Sequence, residues 1–340
     1  MRGLWRRVLG LAAVVVATVA IAGYAAWRDM ETSLEQPISL TEPVLFEISP
    51  GMSVNRVGRE FAARGWLKRA IYLRVEAARH ALTARIQAGF YEISPGDTPR
   101  ALLRKFAAGD VKTYVVTFVE GASFEEIRRQ TASLPGIVHE LRDAAPEAVM
   151  AALGASAQAP EGWLFPSTYH YHHNTTDRDL WRRAYRKMKD VLAKHWERRA
   201  PGLPYASPYE ALVMASIVEK ETGQPEERPA VAGVFVRRLQ KGMRLQTDPT
   251  VIYGLGPSFD GNLRREDLER DTPYNTYARD GLPPTPICSP GEEAIAASLE
   301  PAQGDALYFV ARGDGTHVFS SSLDAHNAAV REFQLRGDRR

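Results

Sequence analysis

Two glutamates, Glu219 and Glu221, stand two positions apart in the otherwise apolar stretch ASIVEKETG, residues 215 to 223. A carboxyl in an apolar lining has its charged form destabilised and its pKa raised, which is what a general acid near neutral pH requires. The helix that carries them opens at Ser207-Pro208-Tyr209-Glu210, an S-x-x-E capping box with proline at the first helical position. At about 100° per residue, Ala211, Leu212, Val213, Met214, Ala215, Ile217 and Val218 point all round the axis. Such a helix is central rather than superficial. Helical side chains lean toward the N-terminus, over positions i−3 and i−4. Glu219 therefore leans over Ala215 and Ser216, small residues that leave room for a substrate, whereas Glu221 leans over Ile217 and Val218, which pack around its stem. That favours Glu219 as the acid. The alternative is that both acids, flanking Lys220, are solvated at a fraying helix end.

Two later stretches supply polar and aromatic side chains. Leu245 to Gly254 (LQTDPTVIYG) and Tyr274 to Tyr277 (YNTY) read as loops, followed by the rigid, proline-rich GLPPTPI at 281 to 287. Gln246, Thr247, Asp248, Tyr274, Asn275, Thr276 and Tyr277 combine rings with amide and hydroxyl groups, as sugar recognition needs: pyranoses offer C–H faces for stacking and hydroxyls for hydrogen bonds. A turn-rich scaffold has a similar composition. Asp248, before Pro249, is either an Asx cap or a substrate hydrogen-bonder, and we assign it to binding. His170-Tyr-His-His173 holds an H-x-H pair able to share a strand face, but the three or four ligands of a zinc site are not evident, so a surface cluster and no metal is expected. No phosphate-binding or dinucleotide fingerprint and no Ser-His-Asp motif stands out, so no cofactor is expected.

The elements around these residues are those of a large globular chain. It has 340 residues, 44% hydrophobic and 25% charged, enough for one large or two smaller domains. Lys plus Arg number 43 against 41 Asp plus Glu, with the signs mixed along the chain, so no basic stripe marks a nucleic-acid partner. A single cysteine, Cys288, excludes an intramolecular disulfide framework. At the N-terminus, residues 1–7 carry Arg2, Arg6 and Arg7, and residues 8–27 contain no charge. Those residues span roughly 30 Å as a helix, the thickness of a bilayer's hydrocarbon core. A retained transmembrane helix is favoured over a cleaved signal peptide because the apolar run is longer than a usual h-region. The positive-inside rule then puts the N-terminus in the cytoplasm and the rest outside, which in a bacterium is the cell-wall side. Residues 28–43 are polar, with two prolines, and read as a linker.

Beyond it an internal echo begins: Phe46-Glu-Ile-Ser-Pro-Gly51 recurs as Tyr91-Glu-Ile-Ser-Pro-Gly96, and Phe61-Ala-Ala as Phe106-Ala-Ala. Each copy reads as a strand, a Pro-Gly turn, a Ser53 or Thr98 cap and an amphipathic helix closed near Gly65 or Gly109. Residues 44–112 are thus a small domain of two related halves, and residues 113–340 a larger one. In the latter the sequence predicts a strand at 113–119, a helix capped by Ser123 and Glu126, short helices within 131–160, a basic helix over 177–199, a hairpin of 307–311 with 316–320, and a helix over 323–335. Arg312-Gly313-Asp314 is read as part of the hairpin turn. The fold class is α+β.

ASIVEKETG, LQTDPTVIYG, YNTY and GLPP, in this order and near this spacing, closely resemble the YceG-like family of endolytic murein transglycosylases. Glu161-Gly-Trp-Leu-Phe-Pro-Ser-Thr-Tyr169 looks like the family's EG-x-x-x-P-[D]-T motif, and Phe118-Val-Glu-Gly121 like its T-x-x-EG strand-turn, and the likeness runs from the anchor to the end of the chain. The resemblance implies a bacterial inner-membrane anchor with the catalytic part in the periplasm, a LysM-like small domain at 44–112, and a catalytic domain that cleaves peptidoglycan glycan strands internally. It maps the catalytic glutamate onto Glu219 and adds Glu161 and Tyr169 to the candidate substrate contacts, with Ser216 beside the acid. Peptidoglycan synthases of the penicillin-binding class are the implied protein partners. Ser167 departs from the family pattern, standing where an Asp is common. One acid suffices for a lytic reaction because the nucleophile, the muramic C6 hydroxyl, belongs to the substrate. The alternatives are a hydrolytic muramidase pairing Glu219 with Glu221 or Asp248, and a non-catalytic wall-binding scaffold.

Overall fold

The chain begins with one long helix, α1 (Arg2–Glu35), in a computed structural model that describes residues 2–155 and 158–334. Among the described residues it is the one helix long and apolar enough to cross a membrane. Residues 28–43, expected to be a linker, instead continue this helix to Glu35 and then pack on the domain that follows. Met30, Leu34 and Ile38, four residues apart, are all buried, a stripe too sparse to register as amphipathic in so polar a segment. The charges between them are taken up locally: Asp29 binds Lys68 and Tyr72, Glu31 binds Arg79 and Arg100, and Arg100 also reaches Glu35 and the buried Glu76. The Ile38 N–H donates to Asp97 O at 2.8 Å.

The chain divides into two units, Met1–Tyr114 and Val115–Arg340. In the first, β1 (Val44–Ile48) and α2 (Val54–Ala63) form one half of the echo, and β2 (Gly89–Ile93) and α4 (Pro99–Ala108) the other, with α3 (Ala70–Arg79) between them. The caps are those the sequence predicts: Ser53 and Thr98 side chains accept from the N–H groups of Arg56 and Ala101, and Gly109 closes α4 in the left-handed conformation. β1 and β2 pair antiparallel with Phe46 opposite Tyr91, which are echo mates, so the halves face each other as in a two-fold relation. Phe46, Phe61 and Phe106 meet with ring centroids 5.3 to 6.1 Å apart, and Tyr91 packs on Phe106 at 4.7 Å. The repeated letters of the sequence are the core of this unit.

β3 (Thr113–Phe118) leads into the larger unit, where it pairs with β4 (Ser167–His172). α5 (Phe124–Ala132) starts on a complete Ser123/Glu126 capping box. Helices α6 (Pro146–Leu153), α7 (Asp177–Glu197), α8 (Pro208–Glu221), α9 (Arg228–Gln240), α10 (Asp248–Leu255), α11 (Arg265–Glu269) and α12 (Glu292–Leu299) follow, then the antiparallel hairpin β5 (Tyr308–Ala311) and β6 (His317–Ser320), and α13 (Leu323–Phe333). Leu335, where the last helix is expected to end, lies outside the described residues. α8 is the axis of this unit: Ala211 through Val218 are all buried, and α7, α9, α10 and α12 pack around it. The architecture is mixed α+β. Residues 248–255, read as loop from their polar start, form α10 instead, because Pro249 is tolerated in a first helical turn and Val251 and Thr250 turn inward.

Candidate active site

At the C-terminal end of α8 the two acids part company. Two helical steps rotate a side chain by about 200°, so Glu219 and Glu221 project toward opposite sides of the axis. The Glu219 side chain is 7% exposed. Its Oε2 accepts from the Gly291 N–H at 2.9 Å, and its Oε1 lies 3.6 Å from Nη2 of Arg228. Burial raises its pKa above the ordinary carboxyl range; the Gly291 N–H and Arg228 oppose this, while the nearby Glu120 and Glu293 reinforce it. The result is a sheltered carboxyl that keeps its proton to higher pH than a free one.

Three elements build this seat. The turn after β3 and the strand-like segment before α12 are zipped together, Gly121 N–H to Ser289 O at 2.9 Å and Ser289 N–H to Ala122 O at 2.8 Å. This brings Glu120 against Gly291, where a Cβ would stand 2.1 Å from Glu120 Oε1, so the position accepts only glycine without moving that carboxylate. Arg228, the first residue of α9 and itself buried, binds Glu293 through Nη1 and directs Nη2 toward both Glu219 and Glu120. Lys220 turns away to donate to Gly121 O at 3.2 Å.

Glu221 faces an open cleft of about 520 Å3 lined also by Gln246, Asp248, Tyr277, Arg238 and His317. The Thr247 hydroxyl donates to it, and burial pushes its pKa up to about 7. The 245–248 segment is held by the YNTY stretch: Gln246 N–H donates to Thr276 O at 3.1 Å, Thr247 N–H to Thr276 Oγ1 at 3.0 Å, and the Tyr277 hydroxyl to Asp248 Oδ1 at 2.6 Å. Gln246 takes a positive φ of 51°, and its side chain accepts from Arg238 at 3.3 Å.

Glu161 occupies a third position. It is 6% exposed, accepts from the Phe124 N–H at 2.9 Å where α5 begins, and from the Tyr253 hydroxyl at 3.0 Å. Burial pushes its pKa up to about 7 against these donors. Tyr253 packs edge-on against Tyr274 at 4.9 Å, and Tyr274 shares a hydrogen bond with Thr285 at 2.8 Å, which ties Glu161 to the proline-rich loop.

The structure therefore brings Gln246, Thr247, Asp248, Thr276 and Tyr277 together around Glu221, and joins Tyr274 to Glu161. It does not gather all the candidates at Glu219. Ser216 is wholly buried, its hydroxyl donating to Val213 O at 2.7 Å and accepting from the Ile287 N–H at 3.0 Å, so the space beside Ala215 is filled by the 286–288 loop. Tyr169 is buried, with its hydroxyl on Phe165 O at 2.7 Å. Asn275 is 1% exposed and gives its amide to Asp267, Leu268 and Arg270 carbonyls. Ser167, at the unusual position, accepts from Lys187 at 2.9 Å. His170 and His172 share the exposed face of β4. Among the described residues no group of three or more His, Cys, Asp or Glu is placed to hold a metal ion. Sequence reasoning missed Arg228, Gly291, Glu293 and Tyr253. Only the Ser-Pro-Gly turn at 289–291 and the acidic start of α12 hint at them, and neither points to a residue 72 positions away.

An α+β unit whose buried central helix ends in two sheltered glutamates on opposite sides, one of them facing a polar cleft, defines a class that also has known members. The YceG-like family profile matches residues 46–332, and the chain belongs to that family. A protein of Bacillus subtilis (strain 168) named endolytic murein transglycosylase is 33% identical over 264 residues, covering 73% of this chain and 73% of that protein. One of the same name from Streptococcus pneumoniae serotype 2 is 28% identical over 357 aligned positions, covering 94% of this chain, which spans 64% of that relative's length. The crystal structure of a YceG-like protein from Listeria monocytogenes superimposes with a TM-score of 0.54 at 28% identity, over 84% of this chain and 99% of that one.

Proposed function

We propose that this chain is an endolytic murein transglycosylase, a lyase that cuts peptidoglycan glycan strands internally with Glu219 as its acid and base. The observation that carries this is the seat of Glu219: nearly dry, raised in pKa, and fixed by one backbone N–H, with the Arg228 guanidinium 3.6 Å away and not hydrogen-bonded to it. Protonated Glu219 gives its proton to the glycosidic oxygen between N-acetylmuramic acid and N-acetylglucosamine as the C1–O bond breaks. The resulting carboxylate takes the proton of the muramic C6 hydroxyl, whose oxygen closes on C1. The acid is regenerated, no water is consumed, and the fragment carries a 1,6-anhydro end.

This reading assigns Gln246, Asp248 and Tyr277, which line the cleft beside Glu221 on the other side of α8, to holding sugar hydroxyls and N-acetyl groups, with Thr247 and Thr276 bracing them from behind. Glu161, Tyr169, Tyr274, Asn275 and Ser216 act from within by fixing the loops that border the site. α1 anchors the chain in the bacterial inner membrane, N-terminus inside and the larger unit in the periplasm, which its length and apolarity support. The two-fold small unit is the LysM-like module that grips glycan. An anchored enzyme meets strands where membrane-bound peptidoglycan synthases release them, and those synthases are the partners this reading names. The test is digestion of purified glycan strands by the wild-type chain and by Glu219→Gln, with product masses read out. Anhydro ends that vanish with the substitution support the lyase; reducing ends would replace it with a hydrolytic muramidase.

A further inference from the structure

Arg228 stands unevenly among its acidic neighbours. Its Nη1 is bonded to Glu293, but Nη2 is 3.6 Å from Glu219 Oε1 and 3.9 Å from Glu120 Oε2, in hydrogen-bond contact with neither, and its buried Nε has no partner. The Glu219 and Glu120 oxygens are no further apart than the sum of those two lengths, inside the roughly 9.5 Å that bounds paired carboxyls across a scissile glycosidic bond. Glu120 is half exposed at its side chain, whereas Glu219 is sheltered, so one acid of this pair is presented to solvent and the other is not. Neither the anchor, the cleft nor the lyase chemistry accounts for an acid held over Gly291.

We propose that Glu120 is a positioning residue of the reaction centre: it shares Arg228 with Glu219 and so sets how firmly that guanidinium holds the catalytic carboxylate. The inference rests on the reading of Glu219 as the acid. A cation within about 4 Å of a carboxylate favours its charged form and would, unopposed, strip the acid of its proton below the working pH. Glu120 draws the same Nη2 the other way, and Gly291, by lacking a Cβ, lets the Glu120 carboxylate come close enough to do so. Of the other groups around Glu219, Glu293 acts in the same direction but is bound to Nη1 rather than Nη2, Lys220 is committed to Gly121 O, and the Cys288 thiol is kept neutral by burial.

The experiment is kcat/KM against pH for the detergent-solubilised full chain acting on glycan strands. The alkaline limb, where the acid loses its proton, reports Glu219 in the free enzyme. Glu120→Gln should move that limb down by about half a pH unit, the effect being moderated by solvent at this half-exposed side chain, and Arg228→Gln should move it up by about one unit. Gly291→Ala, whose backbone angles suit alanine, should displace the Glu120 carboxylate and shift the limb in the same direction as Glu120→Gln with no charge removed. The double variant Glu120→Gln/Arg228→Gln should lie between the singles. Variants that lower kcat/KM with an unmoved limb, or limbs that move the same way for Glu120→Gln and Arg228→Gln, would overturn the proposal. Should Arg228→Gln not fold, Glu120→Gln and Gly291→Ala decide alone. Glu219→Gln, measured alongside, keeps the two levels apart: activity surviving in it removes the acid assignment itself, whereas its loss together with unmoved limbs removes only Glu120.

Discussion

Glu219 and Glu221 share a helix and almost a position, yet Glu219 accepts from the Gly291 N–H and Glu221 from the Thr247 hydroxyl, on opposite sides of α8. Their substitutions should separate accordingly. Glu219→Gln should reduce glycan cleavage by roughly a thousandfold, the loss expected for a general acid–base group, with the melting temperature unchanged within a few degrees. Glu221→Gln should leave cleavage within about tenfold, because it keeps the bond from Thr247 and removes no proton the reaction uses. Equal losses in the two variants, read by product mass over time, would remove the distinction.

Glu161 and Glu221 predict a pH dependence of stability. Both are raised from the ordinary 4.5 to about 7 because burial disfavours their charge. A carboxyl whose folded pKa exceeds its unfolded one stabilises most where both states are protonated, below about pH 4.5, and that contribution is lost as pH rises toward 7. Each accounts for on the order of 3 kcal/mol across the window. Urea midpoints taken from pH 4.5 to 7.5 should fall through this range, and Glu161→Gln and Glu221→Gln should each flatten the slope by about half.

Ser216→Ala should destabilise the larger unit by about 1–3 kcal/mol, because the Ile287 N–H is left buried without its acceptor. Catalysis should suffer through a mobile 284–288 loop. Chemical denaturation measures the first effect, and hydrogen exchange at Ile287 the second; fast exchange there in the wild type would contradict the pinning described above.

Leu34→Ala tests whether the end of α1 belongs to the small unit. The side chain is fully buried there, so its truncation should cost about 2–5 kcal/mol of that unit's stability. Limited proteolysis within residues 44–112 should accelerate markedly. A flexible connection at this point would show no change.

Much of the fold was legible. The echoed motif carries its own caps, turns and aromatic core positions, and Ser123/Glu126 and Ser207 mark the starts of α5 and α8 in the sequence itself. The end of α1 was not, because three apolar residues among acids reveal a stripe only once Lys68, Arg79 and Arg100 are known to meet those acids. At the site, the lean of α8 side chains pointed to a sheltered Glu219, but its company is assembled by tertiary contacts. Glu120, Arg228 and Gly291 come from three other elements, and no local pattern at any of them names the others. Ser216 shows the same limit from the other side: smallness next to an acid suggests room for a ligand, and the protein's own loop fills it.

The unbroken run of α1 into the small unit leaves no swivel between its apolar stretch and the domain on which its end packs. With Leu34 locked in place and Arg100 clasping Glu31 and Glu35, the helix behaves as a rigid mast. Under the anchoring proposed above, rocking of that mast within lipid would be handed on to the two-fold module, and its height above the membrane would be set by geometry rather than by diffusion on a tether.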